Sequence, residues 1–114
     1  MESMQKPASF HAHIYFTSEN RADAQALLNQ IVRELGPILR YAGKLIDRPI
    51  GPHPVPMFEI DFLPPNFLEV VTFLMANHGA LSVLIHPQTG DDLKDHSDHA
   101  LWLGKQLNLN LGIF

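Results

Sequence analysis

Residues Phe10 to Phe16 read FHAHIYF, with Phe10, Ala12, Ile14 and Phe16 alternating with His11, His13 and Tyr15. Successive side chains of a strand point to opposite faces, so a period of two spells a strand with one apolar face and one face of imidazole and phenol. The pattern returns twice. In Met57 to Phe62, Phe58, Ile60 and Phe62 oppose Met57, Glu59 and Asp61; in Leu81 to His86, Leu81, Val83 and Ile85 oppose Ser82, Leu84 and His86. Three segments divided in this way must lay their apolar faces against a common layer.

The segments between them supply that layer. Ala24, Leu27, Leu28, Ile31, Val32 and Leu35 recur at helical spacing, with Thr17 or Ser18 as the expected cap and Gly36–Pro37 as the stop. In PPNFLEVVTFLMANHG, Asn66 and Glu69 resemble a capping box; Phe67, Val70, Val71, Leu74 and His78 share a face and Gly79 ends the helix. A weaker strand is expected within Leu39 to Asp47. RPIGPHPVP, Arg48 to Pro56, has four prolines in nine residues, which forbid a helix or a central strand and make a stiff loop around His53.

The order is β-α-β-β-α-β, the split βαβ or ferredoxin-like pattern of the α+β class, in one domain over residues 1–114. Both helices then cover one face of an antiparallel sheet. The first and third strands are expected at its centre, with the fourth beside the first. The other face collects His11, His13, Tyr15, Glu59, Asp61 and His86, and His53 hangs beside it. The tail exceeds what this fold needs: His96 to Leu103 is expected as a short helix with His99 and Trp102 on one side. Leu107, Leu109, Leu111 and Ile113 alternate, as for a fifth strand or a dimer contact.

Composition removes several classes of function. The net charge is −4 and the eight Lys and Arg are scattered, which argues against nucleic acid as a partner. There is no cysteine, so disulfides, thiolate zinc sites and iron–sulfur clusters are excluded, and any metal must be held by His, Asp or Glu. No leader or membrane span is read from the sequence, so a cytoplasmic protein that does not engage membranes is expected. Seven histidines in 114 residues is the most informative count.

Two imidazoles two apart on a strand lie about 6.6 Å apart along it and can converge on one ion. Two histidines with a carboxylate such as Glu59 suit non-haem Fe(II) with open positions for dioxygen; three histidines suit zinc. Structural roles stand beside these. His11, His13, Glu59 and Asp61 also fit a solvated sheet face, Tyr15 and Trp102 packing, His53 a merely stiffened loop, and His86 a turn cap. His78 fits a helix end, and Asp95 to His99 a polar helix surface.

Taken together, HAHIYF, GPHPVPMFEIDF and LIHPQTGDDLKDHSDHALWLG, in order over residues 11–104, resemble the DOPA 4,5-dioxygenase family of small aromatic-ring-cleaving dioxygenases. The resemblance implies a ferredoxin-like domain, homodimers, and extradiol cleavage of a catechol such as DOPA with non-haem Fe(II) and O2. Under it, face and spacing give His13, His86 and Glu59 as metal ligands. His11, His53 and Tyr15 become catalytic groups, and Arg48 and His99 contact substrate. The rival readings are another enzyme on the same fold, either cofactor-free or zinc-dependent, and a non-catalytic small-ligand-binding or dimerisation module.

Overall fold

The computed structural model describes residues 4–114. Five strands form one sheet: β1 (Phe10–Tyr15), β2 (Leu39–Ala42), β3 (Met57–Phe62), β4 (Val83–Pro87) and β5 (Leu101–Leu103). Their order is β2-β3-β1-β4-β5, and every neighbouring pair is antiparallel. Helices α1 (Arg21–Leu35) and α2 (Phe67–Asn77) follow β1 and β3, and a single turn, α3 (Asp92–Asp95), lies between β4 and β5. The first four strands with α1 and α2 are the expected ferredoxin-like arrangement, with β1 and β3 central and β4 beside β1.

The main core lies between the sheet and the two long helices. Ala12, Ile14, Phe58, Ile60, Phe62, Val83 and Ile85 meet Ala24, Leu27, Leu28, Ile31, Val70, Val71 and Leu74 there. Val32, placed on the apolar stripe by spacing, is half exposed because it sits at the margin of the contact. Neither expected cap is made. Asn20 precedes α1 and its Oδ1 accepts from the Thr17 N–H, so the helix start is held by an upstream turn. Asn66 closes a 3-10 turn over Pro64–Asn66 and makes no side-chain cap. The His78 ring ends α2 by bonding the Leu81 carbonyl at 3.0 Å.

The tail differs from expectation in two places. The segment expected as a helix over His96 to Leu103 holds β5, whose Leu101, Trp102 and Leu103 pair with Ile85, Leu84 and Val83. The open edge of β4 presents unpaired backbone groups, and pairing them outweighs a short exposed helix. The alternating leucines beyond are not a strand. Gly104, at φ +73, turns the chain back across the sheet. Leu107 and Leu109 then pack on a second apolar cluster of Tyr15, Met57, Leu84 and Trp102, and the Asn110 N–H donates to the Pro52 carbonyl at 2.8 Å. The face away from the helices is thus covered by the chain's own loop and tail. Among the described residues no helix is long and apolar enough to cross a membrane.

Phe58 is wholly buried in the main core whereas Val32 is 50% exposed. Phe58→Ala is expected to lower the free energy of unfolding by about 3–5 kcal/mol, and Val32→Ala to change it by less than about 0.5 kcal/mol. Urea denaturation of both variants checks the assignment of the two faces.

Candidate metal and substrate site

Because Ala12 and Ile14 are fixed against the helices, the odd positions of β1 must project from the other face. The register then chooses their neighbours. His11 stands opposite His86 on β4 and Asp61 on β3, and His13 stands opposite Glu59. Two further imidazoles arrive from outside the sheet. The proline loop brings His53 over His13, with ring centroids 4.2 Å apart. The segment after α3 brings His96 over His86 at 4.1 Å.

Five histidines therefore gather on one face, and His13, His53 and His86 are 3%, 6% and 1% exposed. A solvated sheet face does not describe these three. Burial opposes the charged ring. It pulls His53 down to about 4, with the nearby His96 adding to the effect. It pulls His86 down to about 3 against the opposing bond to Pro87. His13 lies well below the ordinary 6.5 through burial and then its neighbours His53, His86 and His11. His11 is lowered by burial in spite of Asp61. These rings are neutral at pH 7, the state that binds metals.

Hydrogen bonds assign the ring nitrogens. The His86 Nδ1–H donates to the Pro87 carbonyl at 3.0 Å, which leaves the Nε2 lone pair facing inward. The His13 Nε2 lies 3.0 Å from it, while the His13 Nδ1 is buried without a partner. The Tyr15 hydroxyl, kept protonated by burial, donates to the His53 Nδ1 at 2.7 Å. The His96 Nδ1–H donates to the Asp92 carbonyl at 2.8 Å.

A backbone carbonyl holding one ring nitrogen while the other points into a cluster is the usual second partner of a metal-bound histidine. Two nitrogens at right angles on metal–nitrogen bonds of about 2.1 Å are separated by about 3.0 Å, the spacing of the His13 and His86 Nε2 atoms. The residues present therefore fit a divalent transition metal. Ligand atoms of His11, His13 and His86 come within 4.8 Å of one another, and so do those of His11, Glu59 and Asp61. Glu59, expected with His13 and His86, groups with His11 and Asp61 instead. Its oxygens lie 3.6 Å from the His11 Nδ1 and 3.8 Å from the His13 Nδ1. Burial, a hydrogen bond to Asp61 and the charge of Asp61 push the Glu59 carboxyl up to about 8, so this carboxyl holds its proton at neutral pH.

The remaining candidates are placed as follows. Arg48 is exposed on the loop before His53. His99 lies 3.3 Å from Asp95 and lines a groove of about 480 Å³ that none of the five histidines lines. Trp102 stacks on Tyr15 at 5.9 Å. The residue that sequence reasoning missed is His96. It lies three positions from His99, and local spacing does not say which of the two turns toward the sheet. Asp95 decides it. This carboxylate is wholly buried and accepts from the Thr89 N–H at 2.9 Å and from the Thr89 hydroxyl at 2.6 Å. Burial would raise its pKa, but these bonds and His99 bring it below the ordinary range. The clamp anchors α3 to the end of β4 and puts His96 over His86.

The buried imidazoles and Glu59 act on stability in opposite senses. Below the ordinary 6.5, the unfolded chain binds protons that the folded chain refuses at His11, His13, His53 and His86. Stability therefore falls as pH drops through this range toward about 4. Glu59 binds its proton more tightly when folded, so its contribution is lost as pH rises from 4.5 to about 8. Where the two windows overlap, four histidines outweigh one carboxyl. The metal-free protein is expected to be most stable at about pH 7, and Glu59→Gln to remove the decline above it while leaving the acid limb. Urea midpoints between about pH 4.5 and 8.5 in EDTA test this, and a wild-type profile still rising at the alkaline end would contradict it.

The chain matches the model of the Dopa 4,5-dioxygenase family over residues 10–113. It is 37% identical over 110 residues to a DOPA 4,5-dioxygenase of Amanita muscaria, an alignment covering 90% of this chain and 47% of that protein. It is 37% identical over 116 residues to an uncharacterized 21.2 kDa protein of Botryotinia fuckeliana, covering 92% of this chain and 62% of that one. The chain thus spans about half of the first relative and under two thirds of the second. The crystal structure of a "putative dioxygenase" from Nostoc punctiforme has the same fold, with a TM-score of 0.87, 40% identity, and coverage of 98% of this chain and 95% of that one. The motifs that gather the histidines all lie within the matched residues, and the chain belongs to the Dopa 4,5-dioxygenase family.

Proposed function

We propose that this chain is an extradiol ring-cleaving dioxygenase that acts on a catechol and uses non-haem Fe(II) and O2. The observation that carries the reading is the pair of buried, neutral imidazoles, His13 and His86, with their Nε2 atoms 3.0 Å apart, in a family of dioxygenases. Ferrous iron held there supplies the one-electron couple through which a catechol and dioxygen react. The carbon–carbon bond beside one hydroxyl breaks and both oxygen atoms enter the product.

The chain's own residues bind the metal, move protons and exclude water. His13 and His86 are the shared ligands, and His11 is the third, since its nitrogen alone among the remaining candidates groups with both. Glu59 is then a proton store. Its carboxyl, 3.6 Å from the His11 Nδ1, is placed to give a proton to the bound substrate or take one from it. His53, oriented by Tyr15, is the second proton-transfer group. The proline loop limits its freedom, so its ring stays over His13. The cover formed by the loop and the tail keeps bulk water from the rings and favours their neutral form.

Anaerobic Fe(II) reconstitution, followed by L-DOPA and simpler catechols in air, tests the reading. A yellow product that requires both iron and oxygen is expected; iron uptake without ring opening of any catechol would reject the activity. His13→Ala and His86→Ala are expected to abolish iron retention. Glu59→Gln is expected to retain iron and lose about 10²–10⁴-fold in kcat. Iron lost from Glu59→Gln but kept by His11→Ala would assign the third position to the carboxylate.

A further inference from the structure

His96 stands at the border between the buried histidines and solvent. Its ring packs on His86 at 4.1 Å and lies 6.4 Å from His53. Phe114 packs against it at 4.7 Å, yet the ring stays half-exposed and lines the open groove between β5 and the tail. It belongs to neither group of ligand atoms that close within 4.8 Å of one another, so it is not placed to complete the metal set. Its Nδ1 lies 2.8 Å from the Asp92 carbonyl. A carbonyl can only accept, so Nδ1 carries a hydrogen whether the ring is neutral or charged, and Nε2 is the atom left to meet a ligand.

The four residues of α3 cannot hold such a ring in place by themselves, since one helical turn is not stable alone. The hold comes from Asp95, the preceding residue. Its carboxylate is wholly buried. It accepts from the Thr89 N–H at 2.9 Å and the Thr89 hydroxyl at 2.6 Å, and it lies 3.3 Å from the His99 Nδ1. A buried carboxylate is tolerated only when it is bonded in this way, and these bonds fasten the turn to the chain leaving β4, which ends at His86 and Pro87. We infer that His96 is a substrate-contacting residue, its Nε2 meeting a hydroxyl of the bound catechol, and that Asp95 is the positioning residue that aims it. The inference rests on the reading of the cluster as the place where a catechol is held. A hydroxyl both donates and accepts, so the contact forms in either charge state of the ring. The bonds of Asp95 go to Thr89 and His99, so it acts on the substrate through His96.

The full chain is loaded with Fe(II) under nitrogen and titrated with 4-nitrocatechol, whose absorbance reports binding without turnover. His96→Ala is expected to keep iron at the wild-type stoichiometry and to bind the probe about tenfold more weakly, the loss of one hydrogen bond to a ligand. Asp95→Asn keeps the size and removes the charge. It is expected to weaken binding about threefold or more in the wild-type background and to add little to His96→Ala, because residues that act through one another are not additive. Binding unchanged by His96→Ala, or iron lost from it, would overturn the assignment of His96. An effect of Asp95→Asn that is undiminished without His96 would overturn that of Asp95. If the probe binds in a manner that depends on His96 and no catechol is cleaved in air, the contact stands and the ring-cleavage reading falls. If catechols are cleaved and binding ignores His96, the reverse is true.

Discussion

The central position of β1 governs the rest of the molecule. It pairs with β3 on one side and β4 on the other, and its Ala12 and Ile14 are wholly buried against the helices. A slip of one residue would turn His11, His13 and Tyr15 into the apolar core and expose Ala12 and Ile14. The apolar demand of one face therefore fixes the chemistry of the other. The same register sets the partners, since His11 meets His86 and Asp61, and His13 meets Glu59, only in this alignment.

Gathering neutral imidazoles in a buried place works against stability, and the surroundings show how the fold tolerates it. Each ring nitrogen that can be satisfied locally is: His86 by the Pro87 carbonyl, His53 by Tyr15, and His96 by Asp92. What remains is the facing pair of His13 and His86 Nε2 atoms and two buried atoms without a hydrogen-bond partner, the His13 Nδ1 and the Asp61 Oδ1. A buried polar atom without a partner is costly, and this cluster holds two of them. The Glu59–Asp61 pair adds a group that titrates near neutrality beside the same rings.

The cover over this face is built from segments that carry little regular structure. The proline loop, the single turn of α3, the short β5 and the tail each contribute one or two side chains. They are held by a few specific contacts: Asp95 to Thr89, Tyr15 to His53, and Asn110 to the Pro52 carbonyl. These contacts position His53, His96 and Trp102 around the sheet-borne histidines, and between the tail and β5 they leave a groove lined by His96, Trp102 and three leucines. The scaffold and the cover thus divide the work, with the strands fixing His11, His13 and His86 and the cover placing His53 and His96 over them.

The period-two segments and the two apolar stripes were legible in the sequence because each is a local repeat whose one-sided burial has few solutions. They determined the strand faces, the helix layer, the strand order and the gathering of His11, His13, Tyr15, Glu59, Asp61 and His86. Local pattern did not extend to the tail, where the alternating Leu107 and Leu109 pack as side chains rather than pair as a strand. Nor did it separate His96 from His99. Only the tertiary structure decided those points, and with them which ring nitrogens face one another. They depend on the unpaired edge of β4, the buried Asp95 clamp and the cross-strand register, which are contacts between residues far apart in the chain.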